Sequence, residues 1–179
     1  MARLPYLDRD NLAEGDRDIF DRIAAERGQV HNIFRMMAHA PKLLRKYIEF
    51  SSELRFKTEL DPTLRELAIM TVGRLTDAKY EFTHHWNAAR KLGIPAAKLE
   101  KLADFETSDL YTAHERAVIR YAIEATRDVK VSDATFNALR EFLDNERLME
   151  LVFMVASYNS VVRILVPTGV ELEPGSKLN

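Results

Sequence analysis

The stretch DPTLRELAIMTVGRLTDAKYEFTHHWNAARKLG, Asp61 to Gly93, decides the fold class. Asp61 followed by Pro62 reads as a helix N-cap with proline at the first helical position, where its missing N–H costs nothing. Leu64, Leu67, Ala68, Thr71 and Leu75 then recur at helical spacing and form one apolar stripe. Thr76-Asp77 interrupts the run. Ala78 to Leu92 reads as the next helix, stopped by Gly93, with Pro95 opening a short one beyond it. Two helices joined by a tight break are therefore expected at the centre of the chain.

The same punctuation repeats outward in both directions. Toward the amino terminus, Asp16 is expected to cap a helix running to about Arg27, with Ile19, Phe20 and Ile23 on one face and Gly28 as its stop. A helix over His31 to Ala40 ends at Pro41, which opens another along Leu43, Leu44, Tyr47, Ile48 and Leu54. Toward the carboxyl terminus, Thr112-Ala113-His114-Glu115 has capping-box spacing ahead of Val118, Ile119, Tyr121, Ala122 and Ala125. Ser132 caps a helix bearing Phe136, Leu139 and Phe142. Asn145 is expected to cap a strongly apolar last helix, about Glu146 to Leu165, ended by Pro167 and Gly169. The expectation is an all-α protein of seven or eight helices, with no strand alternation and no internal repeat. The polar segment Glu171 to Asn179 is expected to fray.

Composition narrows the chemistry. A chain of 179 residues is long enough for one domain with a substantial core. A net charge of −2, with both signs mixed, offers no field for nucleic acid or an anionic membrane. There is no cysteine, which excludes disulfides, thiolate nucleophiles and thiolate metal ligands. The polar start of the chain lacks a signal-like apolar run, and Leu148 to Ser157 is too short to span a bilayer, so a cytoplasmic location is expected. The six glycines stand too far apart to cradle a phosphate, and no serine occupies a nucleophile elbow. His114-Glu115 lacks the second histidine of a zinc-protease helix, because Val118 stands there.

The segment Tyr80-Glu81-Phe82-Thr83-His84-His85-Trp86 carries the remaining chemistry. Four residues along a helix turn by about 40° and rise about 6 Å, so Glu81 and His85 share a face. A carboxylate beside an imidazole raises the histidine pKa and orients the ring, which suits proton transfer near neutral pH. Spacing alone leaves three readings open: a solvated surface pair, a proton-transfer pair, or half of a metal site. His84 points about 100° away from the pair, while Phe82 and Trp86 lie on a neighbouring stripe.

The run Leu64-Arg65-Glu66-Leu67-Ala68-Ile69, then Leu75 through His85, then Ala88 and Gly93, resembles the core of the carboxymuconolactone decarboxylase family of the alkylhydroperoxidase D-like superfamily. The likeness extends through Ser132–Phe136 and Tyr158–Arg163, with a motif core of about 60–145 and an amino-terminal helical extension of about 1–56. It implies an alkylhydroperoxidase D-like helical bundle spanning the single domain 1–179. Phe82 stands where decarboxylase-type members carry tryptophan. In the peroxidase branch the resemblance places a relay glutamate at Glu66 and a relay histidine at His85, with cysteines at Ala78 and Glu81. Neither residue is a thiol, so thiol peroxidase chemistry is not available to this chain.

The resemblance to the decarboxylase branch implies a lyase that needs no metal or organic cofactor and acts on a small carboxylated lactone or oxo-acid. On that reading His85 transfers the proton, Glu81 tunes it and Glu66 adds a second carboxylate. Arg74 or Arg163 is expected to hold a substrate carboxylate, and Tyr80, Phe82 and Trp86 to wall the pocket. The alternative is a non-catalytic helical oligomer or small-ligand-binding protein that keeps the fold. Relatives self-associate, so a homo-trimer or hexamer is expected, with no nucleic-acid or membrane partner.

Overall fold

The computed structural model of the protein describes residues 1–178. Among the described residues the regular structure is entirely helical: α1 (Asp18–Arg27), α2 (Asn32–Met37), α3 (Pro41–Phe56), α4 (Pro62–Leu75), α5 (Lys79–Lys91), α6 (Ala96–Glu100), α7 (Ala113–Arg127), α8 (Asp133–Arg140) and α9 (Asn145–Thr168), with short 3-10 turns between some of them. Of these, α2 has 6 residues and α6 has 5. The remaining seven run from 8 residues in α8 to 24 in α9. The chain organises into two compact units, 1–57 with 165–176 and 58–164 with 177 onward.

The second unit is built around α4. Asp61 caps this helix, its carboxylate accepting from the N–H groups of Thr63 at 2.8 Å and Leu64 at 3.1 Å. The approach to α4 is fixed by Glu150, which accepts from the backbone N–H groups of Glu59 at 3.0 Å and Leu60 at 2.8 Å. Its residues from Glu66 to Gly73 are all buried, because the helix is covered on opposite faces. Leu64, Ala68 and Val72 pack with Val118, Tyr121 and Ala122 of α7, Leu139 of α8 and Leu148, Leu151 and Val155 of α9. Leu67 and Met70 pack instead with Trp86 and Ala89 of α5, Leu99 of α6 and Ile119. The capping box at Thr112 and Glu115 forms as read, at 2.7 and 3.2 Å.

Helices α4 and α5 approach closely at Gly73. A Cβ there would lie 3.2 Å from the backbone nitrogen of Phe82 and 3.6 Å from Cβ of Glu81. Glycine therefore sets how near the first turn of α5 comes to α4, and that turn carries Glu81. Tight helix–helix contact at a small residue is the fold's contribution to the site.

The first unit packs α1 to α3 around Ile19, Ile23, Leu44 and Ile48. Its carboxyl-terminal segment is anchored rather than frayed through residue 173. Glu173 accepts from the backbone N–H of Asn32 at 2.8 Å, Asn32 Nδ2 donates to the Glu171 carbonyl at 2.9 Å, and the Glu171 N–H donates to the Tyr6 hydroxyl at 2.7 Å. Asn179, the last residue of the segment expected to fray, lies outside the described residues.

Four boundaries, on three helices, differ from expectation, each for a local reason. Helix α1 starts at Asp18 without a side-chain cap; Asp16 sits in the preceding 3-10 turn and faces Arg45 at 3.6 Å. Helix α2 ends at Met37 because Pro41 bars Ala40 from helical geometry, leaving it at φ −128°, ψ 71°. Helix α9 is capped by Asp144, which accepts from the Arg147 N–H at 2.9 Å, so Asn145 is its first residue. It also continues through Pro167. The stop is Gly169 at φ +67°, with Gly169 N–H donating to Val166 at 3.2 Å and Val170 N–H donating to Leu165 at 3.1 Å. That is the Schellman pattern, which a left-handed glycine permits. By length and composition α9 is apolar enough to cross a membrane, yet its Leu148, Leu151, Met154, Val155, Val161 and Val162 are buried in the protein.

Candidate active site

Burial makes the central question electrostatic. Glu66 lies mid-α4 with no exposed surface, and Glu81 and His85 on α5 are 5% and 4% exposed. Three ionisable groups in an apolar interior persist only if they satisfy one another. They do. His85 Nδ1 lies 2.6 Å from Glu66 Oε2, and His85 Nε2 lies 2.9 Å from Glu81 Oε1. Each ring nitrogen thus faces its own carboxylate, an arrangement that suits the doubly protonated ring, in which both nitrogens donate.

The balance of forces follows from that geometry. Burial is the largest influence on His85 and disfavours its charged form. The Glu66 carboxylate opposes it by charge and hydrogen bond, and Glu81 adds to it from the other side. The net effect raises the pKa above the ordinary 6.5. On the far side of Glu66, Arg65 Nε approaches Oε1 at 3.2 Å. The order Arg65, Glu66, His85, Glu81 therefore alternates in sign, and four charges sum to zero inside the protein. The edge of the Tyr158 ring from α9 meets His85, with centroids 4.9 Å apart and planes at 89°.

Glu81 is the open end of this chain of groups. Its Oε2 holds no hydrogen bond among the described residues. No buried carboxylate oxygen is left without a partner among them either, so this oxygen reaches solvent. His85, with both nitrogens occupied, does not present a free ring atom.

The other expected residues distribute unevenly. Tyr80 is buried and its ring lies 4.5 Å from that of His84, so His84 packs apart from the triad. Phe82 and Trp86 lie 6.0 Å apart by ring centroid, and with Arg74, Ala96, Leu99, Glu100 and Leu178 they line an open depression of about 630 Å³. Glu66, Glu81 and His85 are not among its walls. Arg163 is exposed on α9, where Nη1 donates to the Asn159 carbonyl at 2.6 Å and to its side-chain oxygen at 2.9 Å. The structure does not bring it to the triad. Sequence reasoning missed Arg65 and Tyr158. Adjacency to Glu66 was the only signal for Arg65, and consecutive helical residues ordinarily diverge.

Comparison with known proteins places these observations in a family context. Residues 41–124 match the carboxymuconolactone decarboxylase family. The uncharacterized protein YdfG of Bacillus subtilis (strain 168) is 25% identical over 115 residues, 63% of this chain and 78% of that protein. The fold is similar to an uncharacterized peroxidase-related protein from Ralstonia eutropha JMP134, described as an alkylhydroperoxidase AhpD core, with TM-score 0.83, 20% identity and coverage of 97% of this chain and 93% of that one. It is equally similar to an uncharacterized peroxidase-related protein from Silicibacter sp. TM1040 (TM-score 0.82, 18% identity, 98% and 93% coverage). A third likeness is to the debrominase Bmp8 solved with 2,3,4-tribromopyrrole (TM-score 0.82, 18% identity, 97% and 95% coverage).

Proposed function

We propose that this chain, which has the alkylhydroperoxidase D-like fold and matches the carboxymuconolactone decarboxylase family over residues 41–124, is an acid–base enzyme that moves a proton on a small organic acid or lactone. The observation that carries the reading is the imidazole of His85 held between Glu66 at 2.6 Å and Glu81 at 2.9 Å inside the core. Three buried ionisable groups are costly to a core through desolvation, and proton transfer is a use that repays that cost.

The geometry favours a division of labour. Glu81 meets the substrate, because its Oε2 is the atom of the triad without a protein partner. His85 stores the proton and returns it to Glu81, and Glu66 with Arg65 keeps the ring oriented and charged. In a decarboxylase-type step the bond to the departing carboxylate breaks and CO₂ leaves. The electron pair enters the adjoining carbonyl system, the carbon takes a proton from Glu81, which draws it from the charged His85 ring, and the ring regains one from solvent. Support comes from the family match over residues 41–124 and from the resemblance, which implies that Glu81 and Ala78 take the positions of the peroxidase branch's thiols.

The test is a screen of carboxylated lactones and oxo-acids for CO₂ release, run beside Glu81→Gln and His85→Asn. General acid–base catalysis contributes about 10²–10⁴-fold, so both variants lose at least roughly 100-fold in kcat. Folded variants that retain full turnover refute the assignment. One observation favours a second reading, a ligand-binding protein that keeps the fold: the depression at Phe82 and Trp86 does not include the triad among its walls. Binding without turnover across the whole screen supports that alternative.

A further inference from the structure

We propose that the depression walled by α4, α5 and α6 is a binding site for a small planar organic monocarboxylate, whether or not the Glu81–His85 pair turns that ligand over. The size, about 630 Å³, is in the range of small-molecule sites. Phe82, Trp86, Ala96 and Leu99 supply an apolar wall. Trp86 is 7% exposed and its ring is tilted 43° from that of Phe82, so the aromatic surface is held by packing and not free to collapse into the space. A flat conjugated group lies well against such a wall.

Arg74 supplies the polar end. Several other arginines of this chain are engaged: Arg9 with Asp21, Arg22 with Glu26, Arg45 with Asp18, Arg120 with Glu106 and Arg147 with Asp144. The Arg74 side chain, like those of the exposed Arg3, Arg127 and Arg140, holds no hydrogen bond or ion pair among the described residues, and of these four it is the one that lines the depression, with Glu100. A planar guanidinium beside an aromatic wall fits a carboxylate on a flat group, which it can grip with two parallel N–H bonds. Glu100 in the same lining repels a second negative charge, so the site selects one carboxylate rather than two.

Trp86 is the only tryptophan of the chain, so its emission reports this site alone. Benzoate, benzamide and terephthalate are titrated into the full-length protein while Trp86 fluorescence is followed. The proposal expects a saturable change with benzoate, and roughly tenfold or weaker binding of the neutral amide and of the dicarboxylate. Arg74→Gln weakens benzoate by a similar factor, Arg74→Lys recovers part of it, and Glu81→Gln leaves it unchanged, which separates this site from the triad. Absence of a saturable change up to roughly 10 mM benzoate overturns the proposal. So does equal binding of benzoate and benzamide, or an Arg74→Gln variant that binds as well as the parent.

Discussion

His85 carries the consequence most open to measurement at the scale of single residues. Its pKa is raised above 6.5 in the folded protein, because its two carboxylate neighbours outweigh burial. A raised histidine stabilises the fold fully below its unfolded pKa, and that contribution disappears as pH climbs through the folded value. Urea unfolding should therefore show stability declining as pH rises above about 6.5, with a shallower decline in His85→Asn. A flat profile through this range contradicts the arrangement. The contact of Glu81 with His85 was legible from a spacing of four, but its burial was not. The 2.6 Å contact with Glu66 joins residues nineteen apart on different helices, so only family resemblance pointed to it. Arg65 escaped notice because nothing local says that two consecutive helical side chains will converge.

At the scale of elements, the contact between α4 and α5 determines whether the triad assembles. Gly73→Ala places a methyl 3.2 Å from the Phe82 backbone nitrogen, which moves only if α5 moves. Overpacking of this kind costs about 1–3 kcal/mol, against roughly 1 kcal/mol that alanine gains over glycine in a helix interior. The net expectation is a loss of about 1 kcal/mol in chemical denaturation together with a displaced Glu81 and reduced activity. A Gly73→Ala protein that is more stable and equally active shows that the close approach does not matter. Element boundaries were readable wherever a side chain caps its own helix, as at Asp61, Thr112 and Ser132. They slipped where competing signals adjoin. Asp144 and Asn145 are both good caps, and the first one takes the role. Pro167 and Gly169 both end helices, but proline in a last turn sacrifices one hydrogen bond while the left-handed glycine reverses the chain.

For the whole molecule, the all-helical class follows from punctuation that recurs along the entire sequence, and the alkylhydroperoxidase D-like bundle accommodates it. Self-association is the property that the fold leaves to experiment. Helix α9 presents Met149 and Phe153 at 49% and 52% exposure beside its buried Leu148, Leu151 and Met154, a surface suited to packing against another copy. Light scattering is expected to give a mass three or six times the 20.6 kDa chain. A monodisperse monomer at that chain mass removes the oligomer expectation without touching the triad.

The central claim is that His85 stands charged between two carboxylates, and nitrogen NMR of the imidazole side chains tests it without any knowledge of substrate. Near neutral pH both ring nitrogens of His85 should carry protons, and Glu66→Gln or Glu81→Gln should lower the pH at which one is lost. A neutral His85 ring near neutral pH, with one nitrogen unprotonated and no response to either substitution, contradicts the account.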